Sequence, residues 1–373
     1  MHLVFSSNTA WGMYNYRRHV LSHFVGLGHR VTVLAPHDED YFGRLRALGC
    51  GVHDLPISSK GTNPLTDLTL TGRYYRLLRR LGADASITYT IKPNIYGSLA
   101  ARLAGIPYLP VTTGLGYVFL HRGVVPFVAK TLYRLAFARA PRVWFLNGDD
   151  AETFRRSGLV AADRVEQLPG EGVDLNRFAL TDLPQTPGTT FLLIGRMLTD
   201  KGIREYVEAA AQVRRRHPDT RFQLLGAVWK DNPAAIDASQ LAAWQREGTM
   251  EYLGATDDVR PFIAAADCVV LPSYREGLPC TLMEAAAMGR PLIATDVPGC
   301  REVVRDGENG FLCRARDVAS LAEAMERLIG LPTETRRAMG IAGRQLMAEQ
   351  FDVDRIIRRY DEAIKRLAEE RRK

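Results

Sequence analysis

Short apolar runs alternate with longer amphipathic segments along the first 150 residues of the chain. The longer segments, for example residues 13–27 and 41–48, repeat their apolar positions at helical spacing, whereas the short runs are typical of buried strands: HLVFSS, RVTVLAP, ASITYT, IPYLPVT and RVWFLN. Strands and helices in repeated alternation predict a parallel sheet with helices on both faces. The N-terminal part is therefore predicted to form a Rossmann-like, doubly wound α/β domain.

The alternation stops near residue 170 and then starts again. Residues 168–189 are rich in Pro, Gly and Thr, which is typical of a linker. Beyond them a helix is predicted over 203–216, and strands are predicted at FLLIGR, RFQLLGA, MEYLGA, CVVLPS and PLIATD. From residue 318 onward only helical periodicity remains, and the last segment repeats apolar residues at helical spacing: Ile356, Ile357, Tyr360, Ile364 and Leu367.

The pattern thus predicts an α/β protein with two tandem Rossmann-like, doubly wound domains. Their predicted bounds are 1–170 and 190–350, with a linker at 171–189 and a C-terminal helix at 351–373 that returns to the N-terminal domain. In open α/β sheets, ligands bind beyond the carboxyl ends of the strands. We therefore look for site residues directly after strands, facing the cleft that two such domains would create.

The composition is that of an ordinary globular protein. Of 373 residues, 46% are hydrophobic and 24% are charged, which excludes collagen-like, low-complexity and wholly disordered chains. Five cysteines, none in a C-x-x-C pair, predict neither a disulfide framework nor a zinc knuckle and fit the reducing cytoplasm. No uncharged apolar stretch approaches about 18 residues, and the first apolar run is too short for a signal peptide. We therefore expect a chain without a membrane span or a cleaved leader.

The net charge of +7 is concentrated in the first domain. Residues 1–170 carry 20 Lys and Arg against 11 Asp and Glu, while residues 171–373 carry 29 against 31. Within residues 60–142 there are twelve basic residues and two acidic ones. Such a stretch is either a solvated face over core helices or, beside broad apolar faces, an interfacial region at an anionic membrane surface. No reader motif for nucleic acid accompanies it, so no nucleic-acid partner is expected.

The loop after the strand FLLIG contains two cations five residues apart. Arg196 and Lys201 lie in the segment GRMLTDKG, between that strand and the next predicted helix. The planar fork of an arginine, the compact charge of a lysine and the N–H groups of a helix N-terminus together suit a diphosphate. The alternative is a pair of solvated loop cations.

Two glutamates eight positions apart flank a tight Gly-Leu-Pro turn after the strand CVVLPS. Glu276 precedes the turn, and Glu284 lies about one turn inside the helix that follows. A helix that begins near Thr281 offers a hydroxyl and N–H groups to a phosphate. The two carboxylates can each accept hydrogen bonds from pairs of hydroxyl groups. Taken alone, Glu284 is more often a surface acid of a helix.

The segments GRMLTDKG, REGLPCTLMEAAAMGRPLIATDVPGCREVV and DGENGFL resemble the retaining family 4 glycosyltransferases of GT-B fold. The resemblance implies that Arg196 and Lys201 hold the diphosphate of a nucleotide-sugar donor. It implies that Glu276 contacts the transferred sugar and that Glu284 holds the nucleotide ribose. Further donor contacts are implied along the turn, by Gly277, Leu278, Pro279 and Thr281. Tyr252 and Leu253 are implied to lie beside the nucleobase; the alternative is that these two are core residues of a strand.

The first domain resembles a narrower subgroup of that family. The segments ISSKGTNPLTDL, TYTIKPNIYGSLAARLAGIPYLPVTTGLGYVF and FLNGDDAETF are similar to those of bacterial transferases that add N-acetylgalactosamine, galactose or related sugars to polyprenyl-diphosphate-linked acceptors. The resemblance implies that Gly12 lies close to the donor sugar phosphate. It also implies acceptor-side contacts from Lys60, Asn63, Lys92, Asn94, Thr113 and Gly114. Relatives often have a His in the loop 91–94; here Lys92 is expected to supply positive charge instead.

The resemblance therefore predicts transfer of a hexose or N-acetylhexosamine from a nucleotide sugar, UDP-linked, to a lipid-diphosphate-linked saccharide at the inner face of the cytoplasmic membrane. It implies retention of anomeric configuration, no metal and no cofactor. Negative charge builds up on the diphosphate as it leaves, and Arg196 and Lys201 are the predicted groups that stabilise it. Together with Glu276, which orients the sugar, they are the predicted catalytic residues.

The motifs also bear on alternative functions. Within the fold, a soluble transferase that makes a free glycoside and a nucleotide-sugar epimerase both stay open. A nicotinamide-dependent oxidoreductase would need G-x-G-x-x-G at the first strand-to-helix turn, where the chain has SSNTAWGM. No D-x-D metal motif is present in a suitable loop, and no carboxylate stands out as the nucleophile of a double displacement. Attack on the same face of the sugar, with the leaving phosphate accepting the acceptor's proton, is therefore the preferred hypothesis.

Overall fold

The structure, a computed structural model, describes residues 1–57, 64–115, 123–229, 232 and 234–371. They belong to two compact units. The first unit comprises residues 1–171 and 353–373, and the second comprises residues 172–352.

The first unit is built on a seven-stranded sheet with the order β3-β2-β1-β4-β5-β6-β7, in which all neighbouring strands are parallel. Its strands are β1 His2–Ser6, β2 Arg30–Ala35, β3 Gly51–Asp54, β4 Ala85–Tyr89, β5 Tyr108–Thr112, β6 Val143–Phe145 and β7 Val165–Gln167. Its helices are α1 Ala10–Gly26, α2 Glu39–Ala47, α3 Pro64–Leu81, α4 Ser98–Leu103, α5 Val124–Phe137, α6 Gly148–Arg156 and α13 Val353–Arg371.

The apolar runs form the centre of this sheet because β1 and β4 are buried along their whole length. They lie side by side in register, with Phe5 opposite Ile87. Helix α1 begins where the side chain of Thr9, in an extended conformation, accepts a hydrogen bond from the N–H of Gly12. This cap fixes the loop between β1 and α1.

The C-terminal helix α13 packs on the first unit, which confirms the predicted return. Its residues at helical spacing, Tyr360, Ile364 and Leu367, are buried. The hydroxyl groups of Tyr360 and Tyr89 form a hydrogen bond of 2.8 Å, and the Tyr360 ring meets that of Trp144 edge to face, with centroids 4.9 Å apart. The last helix therefore completes the core of a unit that begins at residue 1.

The second unit has a six-stranded parallel sheet with the order β10-β9-β8-β11-β12-β13. Its strands are β8 Thr190–Ile194, β9 Arg221–Leu225, β10 Glu251–Tyr252, β11 Cys268–Leu271, β12 Leu292–Thr295 and β13 Gly310–Cys313. Its helices are α7 Ile203–Arg216, α8 Ala238–Arg246, α9 Arg260–Ala265, α10 Cys280–Ala287, α11 Val318–Ile329 and α12 Thr333–Leu346. Both units are thus Rossmann-like, as predicted.

The linker is predicted from sequence over residues 171–189; residues 172–189 belong to the second unit and pack against it. The N–H of Val173 donates to the carbonyl of Phe351 at 2.8 Å. The buried guanidinium of Arg290 donates to the carbonyl of Asp182 at 2.7 Å, and Arg344 donates to the carbonyl of Phe178 at 2.7 Å. The buried Arg290 and the half-buried Arg344 therefore hold this segment in place.

Three strands of the two sheets are not predicted from the hydrophobic pattern. β3 and β7 lie at the edges of the first sheet, and their residues are half-buried or exposed. β13, at an edge of the second sheet, begins in the DGENGFL segment, where no strand is predicted from sequence. Edge strands pack on fewer neighbours, so the sequences of β3 and β7 carry a weaker apolar signal. Within the described ranges, no helix has the length and apolar character needed to cross a bilayer.

Candidate functional site

The loops that follow β8 and β9 touch at the carboxyl edge of the second sheet. The N–H of Gly195 donates to the carbonyl of Leu225 at 2.9 Å. Gly226 has φ +148°, and a Cβ atom there would lie 1.8 Å from the carbonyl oxygen of Gly195. Only a glycine permits this approach, because a side chain would overlap the neighbouring backbone. The edge predicted from sequence as a ligand site is therefore closely packed.

The loop that follows β8 is also fixed against the loop after β11. Gly202 has φ +71°, and a Cβ atom there would lie 2.0 Å from the carbonyl oxygen of Pro272. The N–H of Tyr274 and the hydroxyl of Ser273 donate to the carbonyl of Asp200 at 2.9 and 3.1 Å. These bonds bring residues from two distant parts of the chain to one place.

Lys201 and Glu276 form an ion pair at that place. The Lys201 Nζ atom lies 2.5 Å from Glu276 Oε1, and the two side chains are only 17% and 12% exposed. The N–H of Glu276 donates to the carbonyl of Pro298 at 3.2 Å. Gly299, with φ +86°, would bring a Cβ atom within 2.7 Å of the Glu276 carbonyl oxygen. The backbone of Glu276 is thus held by the loop after β12, and its carboxylate by the lysine.

The second glutamate lies on the helix that follows. α10 begins at Cys280, after Pro279 in an extended conformation, and the N–H groups of Leu282 and Met283 donate to the Pro279 carbonyl. Glu284 is half-buried on this helix. The preceding Leu278 is buried, whereas Gly277 and Thr281 are half-buried. The turn and the helix start therefore have the geometry that the sequence predicts, and a helix start of this kind favours an anion.

Arg196 lies on the loop after β8 with its guanidinium over the ring of Trp229. The guanidinium carbon is 4.7 Å from the ring centroid, and Trp229 is 38% exposed. Trp229 is not among the residues predicted from sequence. A tryptophan in the loop after a predicted strand was the available signal, because its ring offers a face to a cation or a ligand.

The loop after β11 carries a second ring contact. The guanidinium carbon of Arg316, a residue with φ +59°, lies 4.4 Å from the centroid of the Tyr274 ring. The Tyr274 hydroxyl donates to Glu205 Oε1 at 2.6 Å. Burial and the Glu205 carboxylate raise the pKa of Tyr274 to about 12. Tyr274 is therefore a neutral donor that braces this loop.

Cys300, close to the ion pair, is buried. Burial and the negative charge of Glu276 raise the pKa of the Cys300 thiol well above its ordinary value. The thiol therefore stays protonated at neutral pH, which is unsuited to a nucleophile. Within the described part of the chain, no group of three His, Cys, Asp or Glu side chains is placed to hold a metal ion.

Tyr252 and Leu253 lie at the end of β10. The Tyr252 hydroxyl donates to the carbonyl of Gly226 at 2.8 Å, and its ring packs against the core of the second unit. The N–H of Leu253 donates to the carbonyl of Leu224 at 2.8 Å. Both residues thus brace the edge on which the site lies.

The sequence-predicted residues of the first unit lie after its strands. Gly12 lies in the first turn of α1, where a Cβ atom would be 2.9 Å from Thr9 Oγ1. Lys92 and Thr113 are half-buried, and Gly114 has φ +139°. Lys60 and Asn63 lie outside the described residues.

Asn94 is a correction to the predicted acceptor contacts. It is 1% exposed. Its side-chain carbonyl accepts from the hydroxyl of Thr88 at 2.8 Å, and its side-chain amide donates to the carbonyl of Val111 at 2.9 Å. Because these bonds engage both ends of the amide inside the core, Asn94 shapes the loop after β4 and is not available to a ligand.

The first unit has an exposed surface that is both basic and apolar. Leu103, Phe127 and Leu135 are 70%, 71% and 50% exposed. Helix α4 contacts both α3 and α5, and on α3 the side chains of Arg73 and Arg76 are exposed. We call the exposed residues of α3, α4 and α5 the basic-apolar surface.

Comparisons with known proteins cover both units. Residues 12–171 match the family described as "Glycosyl transferase 4-like domain", and residues 188–330 match "Glycosyl transferases group 1". The N,N'-diacetylbacillosaminyl-diphospho-undecaprenol alpha-1,3-N-acetylgalactosaminyltransferase of Campylobacter jejuni is 28% identical over 96% of this chain and 97% of that enzyme. The UDP-Gal:alpha-D-GlcNAc-diphosphoundecaprenol alpha-1,3-galactosyltransferase of Escherichia coli is 27% identical over 74% of this chain and 73% of that enzyme.

Solved structures share the fold. The crystal structure of Anabaena Alr3699/HepE in complex with UDP has a TM-score of 0.79 and 19% identity, covering 98% of this chain and 100% of that one. A sucrose-phosphate synthase from Thermosynechococcus elongatus has a TM-score of 0.81 and 18% identity, covering 98% and 99%. At these identities the likeness concerns the fold alone.

Proposed function

Because the chain belongs to the family 4 glycosyltransferases of GT-B fold, we propose that it transfers a hexose or N-acetylhexosamine to a polyprenyl-diphosphate-linked saccharide. The observation that carries this proposal is the match with the Campylobacter enzyme over nearly the whole of both chains. The name of that relative specifies an undecaprenol-diphosphate-linked acceptor, and so does the name of the Escherichia coli relative. Two relatives with one acceptor class support the same class here.

We propose a UDP-sugar as the donor. The name of the Escherichia coli relative specifies UDP-Gal. In the second unit, Arg196, Lys201 and the start of α10 supply positive charge and N–H donors beside the two glutamates. That combination suits a diphosphate carrying a sugar on one side and a ribose on the other. Glu276 would orient the sugar and Glu284 would hold the ribose.

The ion pair supports separate roles for Lys201 and Glu276 during sugar transfer. Lys201 neutralises Glu276 through this ion pair. With a donor bound, the ammonium group can bridge the carboxylate and the diphosphate, because it carries three N–H donors. The departing diphosphate then meets a cation already in place, and stabilisation of developing charge is often the largest catalytic effect.

We propose retention by attack on the same face of the sugar, without a metal step. Glu276 is paired with Lys201, and Cys300 stays a neutral thiol, so neither group favours a covalent intermediate. The leaving phosphate would accept the proton of the attacking hydroxyl. Turnover is therefore expected to persist in the presence of EDTA.

We further propose that the enzyme works as a peripheral protein at the inner face of the cytoplasmic membrane. The basic-apolar surface of the first unit joins exposed apolar side chains, among them Phe127, to arginines. Such a surface suits anionic lipid. The enzyme would then bind its lipid-linked acceptor at the membrane surface, where that acceptor resides.

A transfer assay tests the proposed function. UDP-, GDP- and ADP-sugars are offered with a short-chain polyprenyl-diphosphate saccharide or with the same saccharide as a simple glycoside. We expect transfer from one UDP-sugar to the lipid-diphosphate acceptor, with an α-linked product from an α-linked donor and no loss on addition of EDTA. Equal use of the simple glycoside would contradict the acceptor class, and interconversion of donors without transfer would point to an epimerase.

A further inference from the structure

The loop after β9, residues 226–229, is fixed against the loop that carries Arg196. The N–H of Met197 donates to the carbonyl of Ala227 at 3.0 Å, and the close contact between Gly226 and Gly195 joins the same two loops. The position of Trp229 relative to Arg196 therefore follows from backbone contacts on both sides of Arg196 and just before Trp229.

The side chains of these two residues meet. The Arg196 guanidinium carbon lies 4.7 Å from the Trp229 ring centroid, inside the range of about 6 Å in which a cation is attracted to the ring. Among the residues that the structure describes, no carboxylate forms an ion pair with this guanidinium. The ring is the contact that holds it.

We propose that Trp229 is a positioning residue for Arg196, which rests on the proposed function in that Arg196 binds the donor diphosphate. An exposed arginine side chain samples many rotamers, and a ligand must select one of them at an entropic cost. Contact with a ring face limits that freedom and uses none of the five N–H donors, which lie in the plane of the guanidinium. Trp229 thus presents a cation that is already oriented and still able to bind phosphate oxygens.

The size of the effect follows from the strength of such contacts. A cation on an exposed ring gains a factor of about two to five in an equilibrium constant. Trp229→Leu keeps an apolar side chain and removes the ring, so UDP should bind about two- to fivefold more weakly in calorimetry. Trp229→Tyr retains a ring and should lose less. Trp244→Phe, on α8, is the matched control for loss of a tryptophan and should leave UDP binding unchanged.

A double-mutant cycle separates positioning from direct contact between Trp229 and the nucleotide. In the Arg196→Ala background, Trp229→Leu should cause no further loss of UDP affinity. The same loss in both backgrounds would mean that the ring touches the nucleotide itself, and the proposal would be wrong.

A readout without substrate completes the test. The ring current of Trp229 should shift the side-chain Nε–H resonance of Arg196, and Trp229→Leu should remove that shift while Trp244→Phe should not. An unshifted resonance in the wild-type protein overturns the proposal whatever the activity. Failure of the transfer assay with a shifted resonance and a coupled cycle would instead reject the proposed reaction and leave the Arg196–Trp229 pair standing.

Discussion

At the residue scale, the site combines groups that motifs identify with a contact that motifs do not. Arg196, Lys201, Glu276 and Glu284 were selected from spacing after predicted strands. The ion pair between Lys201 and Glu276 could not be predicted, because it depends on how two loops 75 positions apart meet across the sheet edge. Asn94 is buried, and this could not be predicted from sequence. A polar residue in a family motif looks the same in sequence whether its amide faces a ligand or the core.

The ion pair makes a prediction about charge at this site. Lys201→Ala leaves the Glu276 carboxylate largely buried beside the donor diphosphate without a partner, so repulsion adds to the loss of the cation. We expect kcat to fall by about 10² to 10³ and UDP to bind more weakly. The double variant Lys201→Ala/Glu276→Gln should recover part of the UDP affinity, measured by calorimetry, because the repelling charge is gone.

Lys365→Ala, an exposed lysine on α13, is the control and should behave as wild type. Unaltered UDP affinity in Lys201→Ala would refute the assigned role of the lysine, and a double variant no better than the single one would refute the repulsion.

At the scale of elements, the central strands and long helices could be predicted, and the edges could not. β1, β4, β8 and β11 are mostly apolar and are buried along their length, because both faces of a parallel sheet are covered. β3 contains four residues, one of them His53 and one Asp54, and nothing in such a stretch distinguishes a strand from a loop. Pairing with β2 creates it, so its existence depends on the sheet and not on local sequence.

A buried ion pair joins helix α1 to Glu171, the last residue of the first segment of this unit. Arg17 on α1 and Glu171 form a salt bridge, and their side chains are 4% and 6% exposed. The Arg17 guanidinium carbon also lies 3.9 Å from the Tyr89 ring centroid. Breaking one partner of a buried pair costs about 3 to 5 kcal/mol, because the other charge stays buried alone.

We therefore expect Glu171→Gln to lower the free energy of unfolding by about that amount, measured by urea denaturation followed by circular dichroism. Arg17→Met/Glu171→Leu should restore most of the loss, since it removes both charges. Glu152→Gln, which breaks exposed ion pairs on α6, should leave the midpoint where it was. A double variant as unstable as Glu171→Gln would show that the charges do not act as a pair.

At the scale of the whole molecule, charge is divided between the two units. The first unit carries 28 Lys and Arg against 17 Asp and Glu, a net of +11, and it exposes Leu103, Phe127 and Leu135; the second unit carries 21 against 25. The excess of basic residues could be predicted from composition. The exposure of apolar side chains in the same unit is seen only in the structure. Exposure of single side chains could not be predicted from sequence, because it depends on which helix faces the sheet covers.

This surface predicts binding to anionic vesicles that weakens with salt. Phe127→Ser should reduce binding to phosphatidylglycerol vesicles about tenfold, since burial of a phenylalanine side chain is worth about 1.5 kcal/mol or more. Arg73→Glu/Arg76→Glu should weaken the salt dependence in a flotation assay. Ile341→Ser removes an exposed apolar residue of α12 in the second unit and should change nothing. Equal binding to neutral vesicles would argue against the electrostatic part.

The return of α13 to the first unit sets an order of events on the ribosome. Residues 172–352 are translated between the two parts of the first unit, which takes roughly 9 to 36 s at typical elongation rates. During that interval the surface that later receives Tyr360 is uncovered, including Trp144 and the hydroxyl of Tyr89. The core of the nascent first unit therefore stays incomplete until residues 353–373 have been translated, and a chaperone has its widest opportunity to bind during that interval. A stop codon before residue 353 would consequently leave the core of the unit that was translated first incomplete.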